Sequence, residues 1–350
     1  MNLKIKRLMF ASDYQEGAHP HIINRLTKTN LLQTSGYGTD EICQSAKERI
    51  RKACQALNAQ VEFLVGGTQA NATMIDAFLT RYQGVIAADS GHVNVHEAGA
   101  IEFCGHKVMA LPGTLGKITA AQIKECLDDF YADDNHEHMV MPGMVYLSQP
   151  TEYGTLYSKK ELTEISLLCR EKNIPLYVDG ARLAYALASP ANDVTLADLA
   201  SLCDAFYIGG TKCGALFGEA VVIKDPERIP HMTTIIKQHG ALLAKGRLLG
   251  IQFDELFQDD IYLHIGENAI CYAEQIKEAL KKAGLPLYLD APTNQVFFVI
   301  ENEKMKELGK RAEYAYMQKQ DATHSVIRFA TSWATTADDV NELRKVIDAL

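Results

Sequence analysis

The sequence predicts an α/β protein in which a large domain with a doubly wound, mostly parallel sheet precedes a small α+β domain. Through the first two thirds of the chain, short apolar runs typical of strands alternate with segments of helical periodicity, the pattern of strand–helix–strand units. After about residue 245 this alternation gives way to a long helical stretch, two strand candidates and a final helix. The 350 residues are enough to build both domains.

The predicted elements of the large domain rest on local patterns. Apolar side chains recur at steps of three and four over residues 41–57, which predicts a helix there. Capping-box patterns at residues 119–122 and 158–161 predict two helix starts. A further helix is predicted over residues 69–81, and strands over residues 61–65, 84–88, 145–148, 175–179 and 205–208.

The domain prediction assigns residues 1–245 to the large domain and residues 246–350 to the small one. An N-terminal arm, residues 1–15, could join the small domain. Helical periodicity predicts one helix over residues 261–283, and apolar runs predict strands at 296–300 and 327–330. Thr336 and Asp339 are then expected to cap the last helix.

Composition narrows the class of protein. The net charge of −9 argues against nucleic acid as the main partner, and no window approaches the roughly 20 apolar residues of a membrane span. The N-terminal apolar stretch is too short for a signal peptide. The eight cysteines include no C-x-x-C pair, and the His and Cys positions show no metal-ligand spacing. We therefore expect a cytoplasmic protein without a catalytic metal.

Chemistry-bearing residues follow the predicted strands, where a parallel sheet collects its ligands. Gly66 and Gly67 end one strand and Thr68 begins a helix, so free backbone N–H groups there can hold a phosphate. A tight strand–helix turn explains the same residues equally well. No G-x-G-x-x-G occurs, and the glycine-rich stretch at residues 113–119 lacks the Walker spacing.

Asp179 ends one predicted strand, and Lys212 follows the next strand of the same sheet after two glycines. Asp179 could pair with a protonated ring nitrogen and keep a pyridine cationic, or it could only cap the following turn. Lys212 closes residues 205–212, in a segment that carries almost no other charge as far as residue 218. Such surroundings disfavour the ammonium form, and a neutral amine can form an imine with an aldehyde.

An ordered set of motifs resembles the low-specificity L-threonine aldolase group of the beta-eliminating lyase family, enzymes of fold type I that depend on pyridoxal 5'-phosphate (PLP). Asp179-Gly-Ala-Arg182, with a lysine 33 residues after Asp179, is its most specific part. The match runs in order from Phe10 to Arg328 and comprises Phe10-Ala-Ser-Asp13, Tyr37-Gly38, Gly66-Gly-Thr-Gln-Ala-Asn71, His92, Glu97-Ala-Gly99, Asp179-Gly-Ala-Arg182, Lys212 and Ile327-Arg-Phe329.

The resemblance implies an activity and a role for each residue. The expected reaction is retro-aldol cleavage of a β-hydroxy-α-amino acid, such as threonine, allo-threonine or a phenylserine-like compound, to glycine and an aldehyde. Lys212 is expected to carry PLP as a Schiff base, and Asp179 to pair with its ring nitrogen. His92 is expected to stack on the ring. The residues expected to contact the cofactor further are Gly67, Thr68, Gln69 and Arg182, and those expected to bind the substrate are Ser12, Tyr37, Arg182 and Arg328.

The sequence departs from the family at the expected base for the β-hydroxyl group. Many members carry a histidine where this chain has Glu152, in Gln149-Pro-Thr-Glu152. A glutamate can act as a general base, and burial could raise its pKa; it could also only bind the substrate or cap a turn. Another PLP reaction, β-elimination or transamination, therefore stays open, as does a binding protein without catalysis.

The resemblance also implies a homodimer or homotetramer with active sites at the dimer interface. Tyr37 and a basic residue between positions 237 and 247 are the candidates for reaching a neighbouring site. The alternative is that Lys237, Lys245 and Arg247 form a solvated helix face.

Overall fold

The computed structural model describes residues 7–350. Residues 1–6, the start of the predicted N-terminal arm, lie outside the described residues. The strands are β1 (Leu8–Met9), β2 (Gln60–Leu64), β3 (Gln83–Ala88), β4 (Val108–Leu111), β5 (Met141–Ser148), β6 (Leu176–Asp179), β7 (Ala205–Gly209), β8 (Glu219–Ile223), β9 (Leu287–Leu289), β10 (Gln295–Glu301), β11 (Ala312–Glu313), β12 (Ala315–Lys319) and β13 (His324–Ala330).

The helices cover both sheet faces and the ends of the molecule. They are α1 (Pro20–Thr29), α2 (Glu41–Ala53), α3 (Gly67–Phe78), α4 (His92–Val95), α5 (Ala100–Phe103), α6 (Ala120–Ala132), α7 (Lys159–Glu171), α8 (Leu183–Leu187), α9 (Leu196–Leu202), α10 (Met232–Gln238), α11 (Arg247–Leu256), α12 (Ile261–His264), α13 (Glu267–Lys282), α14 (Asn302–Gly309) and α15 (Ala337–Asp348). Within residues 7–350, none of these helices combines the length and apolarity needed to cross a membrane.

A seven-stranded sheet forms the centre of the molecule, in the order β2-β8-β7-β6-β5-β3-β4. Strands β3 to β7 pair in parallel, while β8 runs antiparallel to both β7 and β2. The prediction of an α/β fold with a mostly parallel sheet is confirmed. The carboxyl ends of β2, β3, β5, β6 and β7 therefore meet along one edge, as ligand sites in such sheets require.

Local sequence signals fix several of the helix starts. Thr119 and Ser158 each form a capping box at the predicted position, accepting the backbone N–H of the third helical residue while that residue's side chain returns to the cap. Asp40 caps α2 by accepting the N–H of Cys43 at 2.9 Å. Thr336 caps α15 through the N–H of Asp339, as expected.

The single helix predicted over residues 261–283 is wrong. The chain forms α12, breaks at Gly266 and starts again as α13. A side chain at Gly266 would meet the backbone carbonyl of Ala184. The close approach of this turn to α8 is a tertiary contact, which helical periodicity does not report.

A four-stranded antiparallel sheet, β12-β13-β10-β9, forms the smaller unit. Its core includes Phe10, whose carbonyl accepts the N–H of Ala330 at 2.8 Å, and β1 pairs in parallel with β11. Residues 8–10 of the predicted arm thus pack on this unit. Helix α11 contributes Phe253 and Leu256 to the core of the large sheet. The boundary between residues 245 and 246 stays a prediction.

Candidate active site

A cavity of about 320 Å³ opens at the carboxyl edge of the large sheet. It collects residues that are far apart in sequence, because five strand ends converge there. The predicted site residues that line it are Gly67, Thr68, His92, Glu152, Asp179, Arg182 and Lys212. Gln69, Ser12, Tyr37 and Arg328 do not border this cavity.

The turn from β2 into α3 forms one end of the cavity. Helix α3 begins at Gly67, so its first backbone N–H groups are free of helical partners. A side chain at Gly67 would approach the Tyr207 hydroxyl to 3.0 Å, so the position is suited to glycine. Gln69 turns away, since its Oε1 accepts the backbone N–H of Val65 at 3.0 Å.

Asp179 ends β6 and is buried at the base of the cavity. Its Oδ2 accepts hydrogen bonds from Tyr146 at 2.7 Å and from Asn71 at 2.9 Å, and its Oδ1 accepts the N–H of Ala181 at 3.0 Å. Burial alone would raise the pKa of Asp179, but the charge of His92 and these hydrogen bonds lower it below its ordinary value. The buried carboxyl group is therefore held in its ionised form.

His92 is held over the cavity by a buried carboxylate. Its Nδ1 lies 2.8 Å from Oε1 of Glu97, and the same oxygen accepts a hydrogen bond from Asn71 at 2.7 Å. Asn71 thus bridges the carboxylates of Glu97 and Asp179 with one amide group. The network fixes the ring orientation of His92 and links it to the group at the cavity base.

Lys212 follows β7 and the turn Gly209-Gly-Thr, and it borders the cavity together with Asp179. Burial lowers the pKa of Lys212, and the nearby positive charge of Arg182 lowers it further. Carboxylates, among them Asp13 and Asp179, oppose this effect. The net effect lowers the pKa of Lys212 below its ordinary value, the direction that the almost uncharged segment in the sequence predicted.

Glu152 lies in the loop after β5 and reaches the cavity wall. Its Oε1 accepts the Ser148 hydroxyl at 2.7 Å and the backbone N–H of His92 at 2.9 Å. Its Oε2 is buried and has no hydrogen-bond partner among residues 7–350. Burial raises the pKa of Glu152, while the Ser148 and His92 donors act in the opposite direction. One oxygen is thus anchored and the other is free to accept a proton.

Two arginines differ in their partners: Arg182 lines the cavity, whereas Arg328 lies outside its lining. Arg182 is already paired, because its Nε and Nη2 donate to the fully buried Asp13 at 2.6 and 2.9 Å. Arg328 donates to neutral groups, the Gln295 side chain at 2.7 Å and the Ala11 carbonyl at 2.9 Å. Burial and the charge of Arg182 lower the pKa of Arg328 to about 10.

The neighbourhood of Arg328 also contains unused hydrogen-bonding atoms. The Nε of Arg328, the Oγ of Ser12 and the Nε2 of Gln295 are buried without a partner among the described residues. These three unpaired donors, one of them on the arginine itself, are suited to bind the carboxylate of a ligand.

Tyr37 lies on the surface, away from the cavity of its own chain. It is 52% exposed, and the Lys237 ammonium lies 5.1 Å from the centre of its ring. The Arg247 side chain donates hydrogen bonds to the backbone carbonyls of Leu32 and Asn30, a few residues before Tyr37 in the chain. The single chain therefore does not bring these residues to the predicted site.

Residues 10–303 match the beta-eliminating lyase family. The chain belongs to this family. It is 30% identical over 347 residues to the low specificity L-threonine aldolase of Pseudomonas aeruginosa, with 97% of this chain and 96% of that protein covered. The fold matches a threonine aldolase structure from Leishmania major at a TM-score of 0.94 and 40% identity, covering 97% and 98% of the two chains.

An aspartate aminotransferase from Thermus thermophilus, 13% identical, matches at a TM-score of 0.72 over 99% of this chain and 92% of that chain. The fold-type I assignment and the resemblance to low-specificity L-threonine aldolases are thus confirmed. The chain is an enzyme of the threonine aldolase-like, PLP-dependent group of beta-eliminating lyases.

The cavity of this beta-eliminating lyase fits PLP by the chemistry of its donors. Asp179 is an ionised, buried carboxylate suited to a protonated ring nitrogen. Lys212 is an amine whose pKa is lowered by burial, and it lines the same cavity. The start of α3 offers free N–H groups beside Thr68, as a phosphate group requires.

Several supporting residues carry no role in the sequence-based prediction. Asn71 and Glu97 occur in the family motifs, but their spacing does not show that they meet. The hydroxyl groups of Ser148 and Tyr146 come from one strand, and only the alternation of β5 side chains could have suggested them. Asp13 also belongs to a family motif, Phe10-Ala-Ser-Asp13, but was given no role, and Glu219 is a buried carboxylate with no local sequence signal.

Proposed function

We propose that this enzyme cleaves a β-hydroxy-α-amino acid of the threonine, allo-threonine or phenylserine type to glycine and an aldehyde, with PLP bound at Lys212. The observation that carries the proposal is the buried, unpartnered Oε2 of Glu152 at the cavity wall. A retro-aldol reaction needs an acceptor for the β-hydroxyl proton, and this oxygen supplies one.

PLP, when bound, supplies an aldehyde for the substrate amine and a cationic ring that accepts the electrons of the breaking bond. Asp179 would hold the ring nitrogen in its protonated form, because its carboxylate stays ionised. His92, fixed by Glu97, would cover the ring face. Gly67 and Thr68 would hold the phosphate at the start of α3. These residues orient the reacting groups.

The substrate carboxylate is assigned to Arg328 and Ser12, with Gln295 as a further donor. The unused Nε of Arg328 and Oγ of Ser12 support this assignment. Arg182, whose charge is balanced by Asp13, contributes through position and not through a free ion pair.

Glu152 acts on the β-hydroxyl group. Its Oε2 takes the hydroxyl proton while the Cα–Cβ bond breaks, and the β-carbon leaves as an aldehyde. The α-carbon then takes up a proton, and glycine is released. Ser148 and the His92 N–H hold Oε1 throughout, so the carboxylate keeps its orientation.

Product analysis tests the proposal against its alternatives. Purified protein is incubated with threonine, allo-threonine and phenylserine, and glycine, aldehyde, ammonia and keto acid are quantified. Glycine and aldehyde in equal amounts support the proposal, whereas ammonia with a keto acid indicates β-elimination or transamination. Borohydride trapping of PLP on the peptide that contains Lys212, absent from Lys212→Ala, tests the attachment point.

We also propose that two copies of the chain complete each other's active site through Tyr37. Its exposed ring beside Lys237, outside its own cavity, supports this arrangement. Mixing Tyr37→Ala with Lys212→Ala protein tests it, since a mixed dimer then has one site with both native residues. Recovery of up to about a quarter of wild-type activity supports the proposal, and no recovery after proven subunit exchange contradicts it. Sedimentation separates a dimer from a tetramer.

A cytoplasmic location is proposed on the state of the cysteines. All eight are unpaired, and five of them are buried. Free thiols in such number persist in reducing compartments. Cell fractionation with activity assays tests this, and activity confined to a secreted or membrane fraction contradicts it.

A further inference from the structure

Glu219 is a buried acidic residue that the proposed reaction does not use. It opens β8, opposite Gly209 of β7, and is only 3% exposed. It also lines the cavity that contains Lys212 and Asp179. A carboxylate at such a depth, beside a site that already contains an ionised aspartate, is costly unless it performs a task.

The contacts of Glu219 fix the turn that carries Lys212. Its Oε2 accepts the backbone N–H of Gly210 at 3.0 Å, and its Oε1 accepts the Thr211 hydroxyl at 2.8 Å. The Thr211 hydroxyl oxygen in turn accepts the N–H of Gly218 at 3.0 Å. The two residues immediately before the lysine are thus tied to one carboxylate, and both of these donors are neutral groups.

Several other ionisable groups face Glu219 and Lys212. Tyr177 of β6, Tyr207 of β7 and Tyr262 of α12 face Glu219, and burial raises the pKa of each hydroxyl, so all three stay neutral. Burial also raises the pKa of Cys213 to about 12. The remaining charged groups facing the pair are Asp179, Asp13 and Arg182.

Asp179 is committed to three hydrogen-bond donors, and Asp13 is committed to Arg182. Lys212 is therefore the remaining charged group that lines the cavity with Glu219. Burial raises the pKa of Glu219 to about 8 and lowers that of Lys212, while the charge of each group opposes the effect of burial on the other.

We propose that Glu219 is a positioning residue that fixes the turn before Lys212, and that its ionised carboxylate stabilises the ammonium form of that lysine in the cavity they share. The proposal rests on Lys212 as the attachment point of PLP.

The test measures how readily Lys212 reacts at each pH, using the full-length chain freed of PLP. Fluorodinitrobenzene labels neutral amines, and mass spectrometry quantifies the peptide that contains Lys212. The Glu219→Gln variant keeps a side chain of the same shape but carries no charge. The midpoint, the pH at which Lys212 reaches half of its maximal labelling rate, should fall by about one unit or more in this variant. The reason is that an opposite charge nearby no longer stabilises the ammonium form of Lys212. The visible absorption of the PLP-loaded variant, titrated with base, should shift in the same direction.

Two further variants separate charge from shape. Glu62→Gln removes a partly buried carboxylate from the neighbouring strand β2, where it pairs with Lys47 at 3.1 Å, and it should leave the Lys212 midpoint unchanged. Glu219→Asp keeps the charge but moves it away from the lysine, so its midpoint should lie between those of the wild type and Glu219→Gln.

A midpoint in Glu219→Gln within 0.3 units of the wild type, or above it, overturns the proposal. If that variant does not fold, a Glu219→Asp midpoint equal to that of the wild type overturns it instead. A merely structural role would slow labelling at every pH without moving the midpoint. Failure of borohydride trapping at Lys212 would refute the proposed function. That outcome is distinguishable from failure of the Glu219 proposal, because the labelling experiment needs neither PLP nor turnover.

Discussion

Replacing Glu152 with glutamine tests the reaction most directly. Glutamine keeps the shape of the side chain, and its amide oxygen can accept the same two hydrogen bonds, from Ser148 and from the His92 N–H. The amide nitrogen then occupies the position of Oε2 and points N–H groups into the cavity. The variant therefore loses the proton acceptor while the surrounding structure is kept.

The expected loss follows from the role of a general base. Proton transfer by a positioned side chain contributes about 100- to 10,000-fold to a rate, so kcat for phenylserine should fall by that factor. This corresponds to about 3–5 kcal/mol of activation free energy. PLP binding, followed by visible absorption, should be unchanged, because Glu152 has no part in holding the cofactor.

The matched control is Tyr153→Phe. Tyr153 is the next residue along the chain, but it packs against Phe297 and does not border the cavity. Turnover of this variant should stay within about twofold of the wild type, as expected for a change outside the site. A Glu152→Gln enzyme that keeps wild-type kcat across the pH range would refute the assignment of Glu152 as the base.

The remaining predictions concern the groups around this base. Ser148→Ala removes a donor that lowers the pKa of Glu152; since activity is lost as pH falls through that pKa, the acid limb of kcat/KM should move to higher pH. Asp179→Asn removes a charged hydrogen bond worth about 1.5–3 kcal/mol, so kcat should fall at least about tenfold in steady-state assays. Arg328→Lys keeps the charge but loses the planar fork, so KM should rise about tenfold with a smaller change in kcat. Asp13→Asn leaves Arg182 buried without its partner and should lower the free energy of unfolding in urea by about 3 kcal/mol. Burial raises the pKa of Asp13, but the charges of Arg182 and Lys212 and the hydrogen bonds from Arg182 and Asn294 together lower it to about 2, against 3.8 when unfolded. The difference in unfolding free energy between Asp13→Asn and the wild type should therefore narrow as pH falls from about 4 to 2, where the native carboxyl also takes up its proton.

Local patterns in the sequence were sufficient for much of the fold. The capping boxes at Thr119 and Ser158 form as predicted, since each involves only the four residues that the pattern contains. The break at Gly266 was not predictable, because it depends on the backbone of Ala184, some eighty residues earlier. Periodicity reports which face of a helix is apolar and not how closely another segment approaches it.

The residues of the site divide in the same way, into those that local sequence patterns indicate and those that depend on tertiary contacts. Strand ends placed Asp179 and Lys212 on one edge of the sheet, and both border the cavity. The contact between Asn71 and Asp179 joins residues 108 positions apart, so no spacing rule indicates it. Glu219 was missed because its strand runs against its neighbours, and a parallel-sheet reading considers only the carboxyl ends of strands.

The N-terminal segment around Asp13 connects otherwise separate parts of the molecule. Asp13 accepts hydrogen bonds from Arg182 on the large sheet side and from Asn294 beside β10, while the Ala11 carbonyl accepts one from Arg328. Proteolytic trimming through residue 13 would therefore remove a hydrogen-bond partner from each of the two arginines at once. A fused domain or affinity tag is better placed at the carboxyl end, since residues 11–13 contact both arginines, one of which we propose binds the substrate carboxylate.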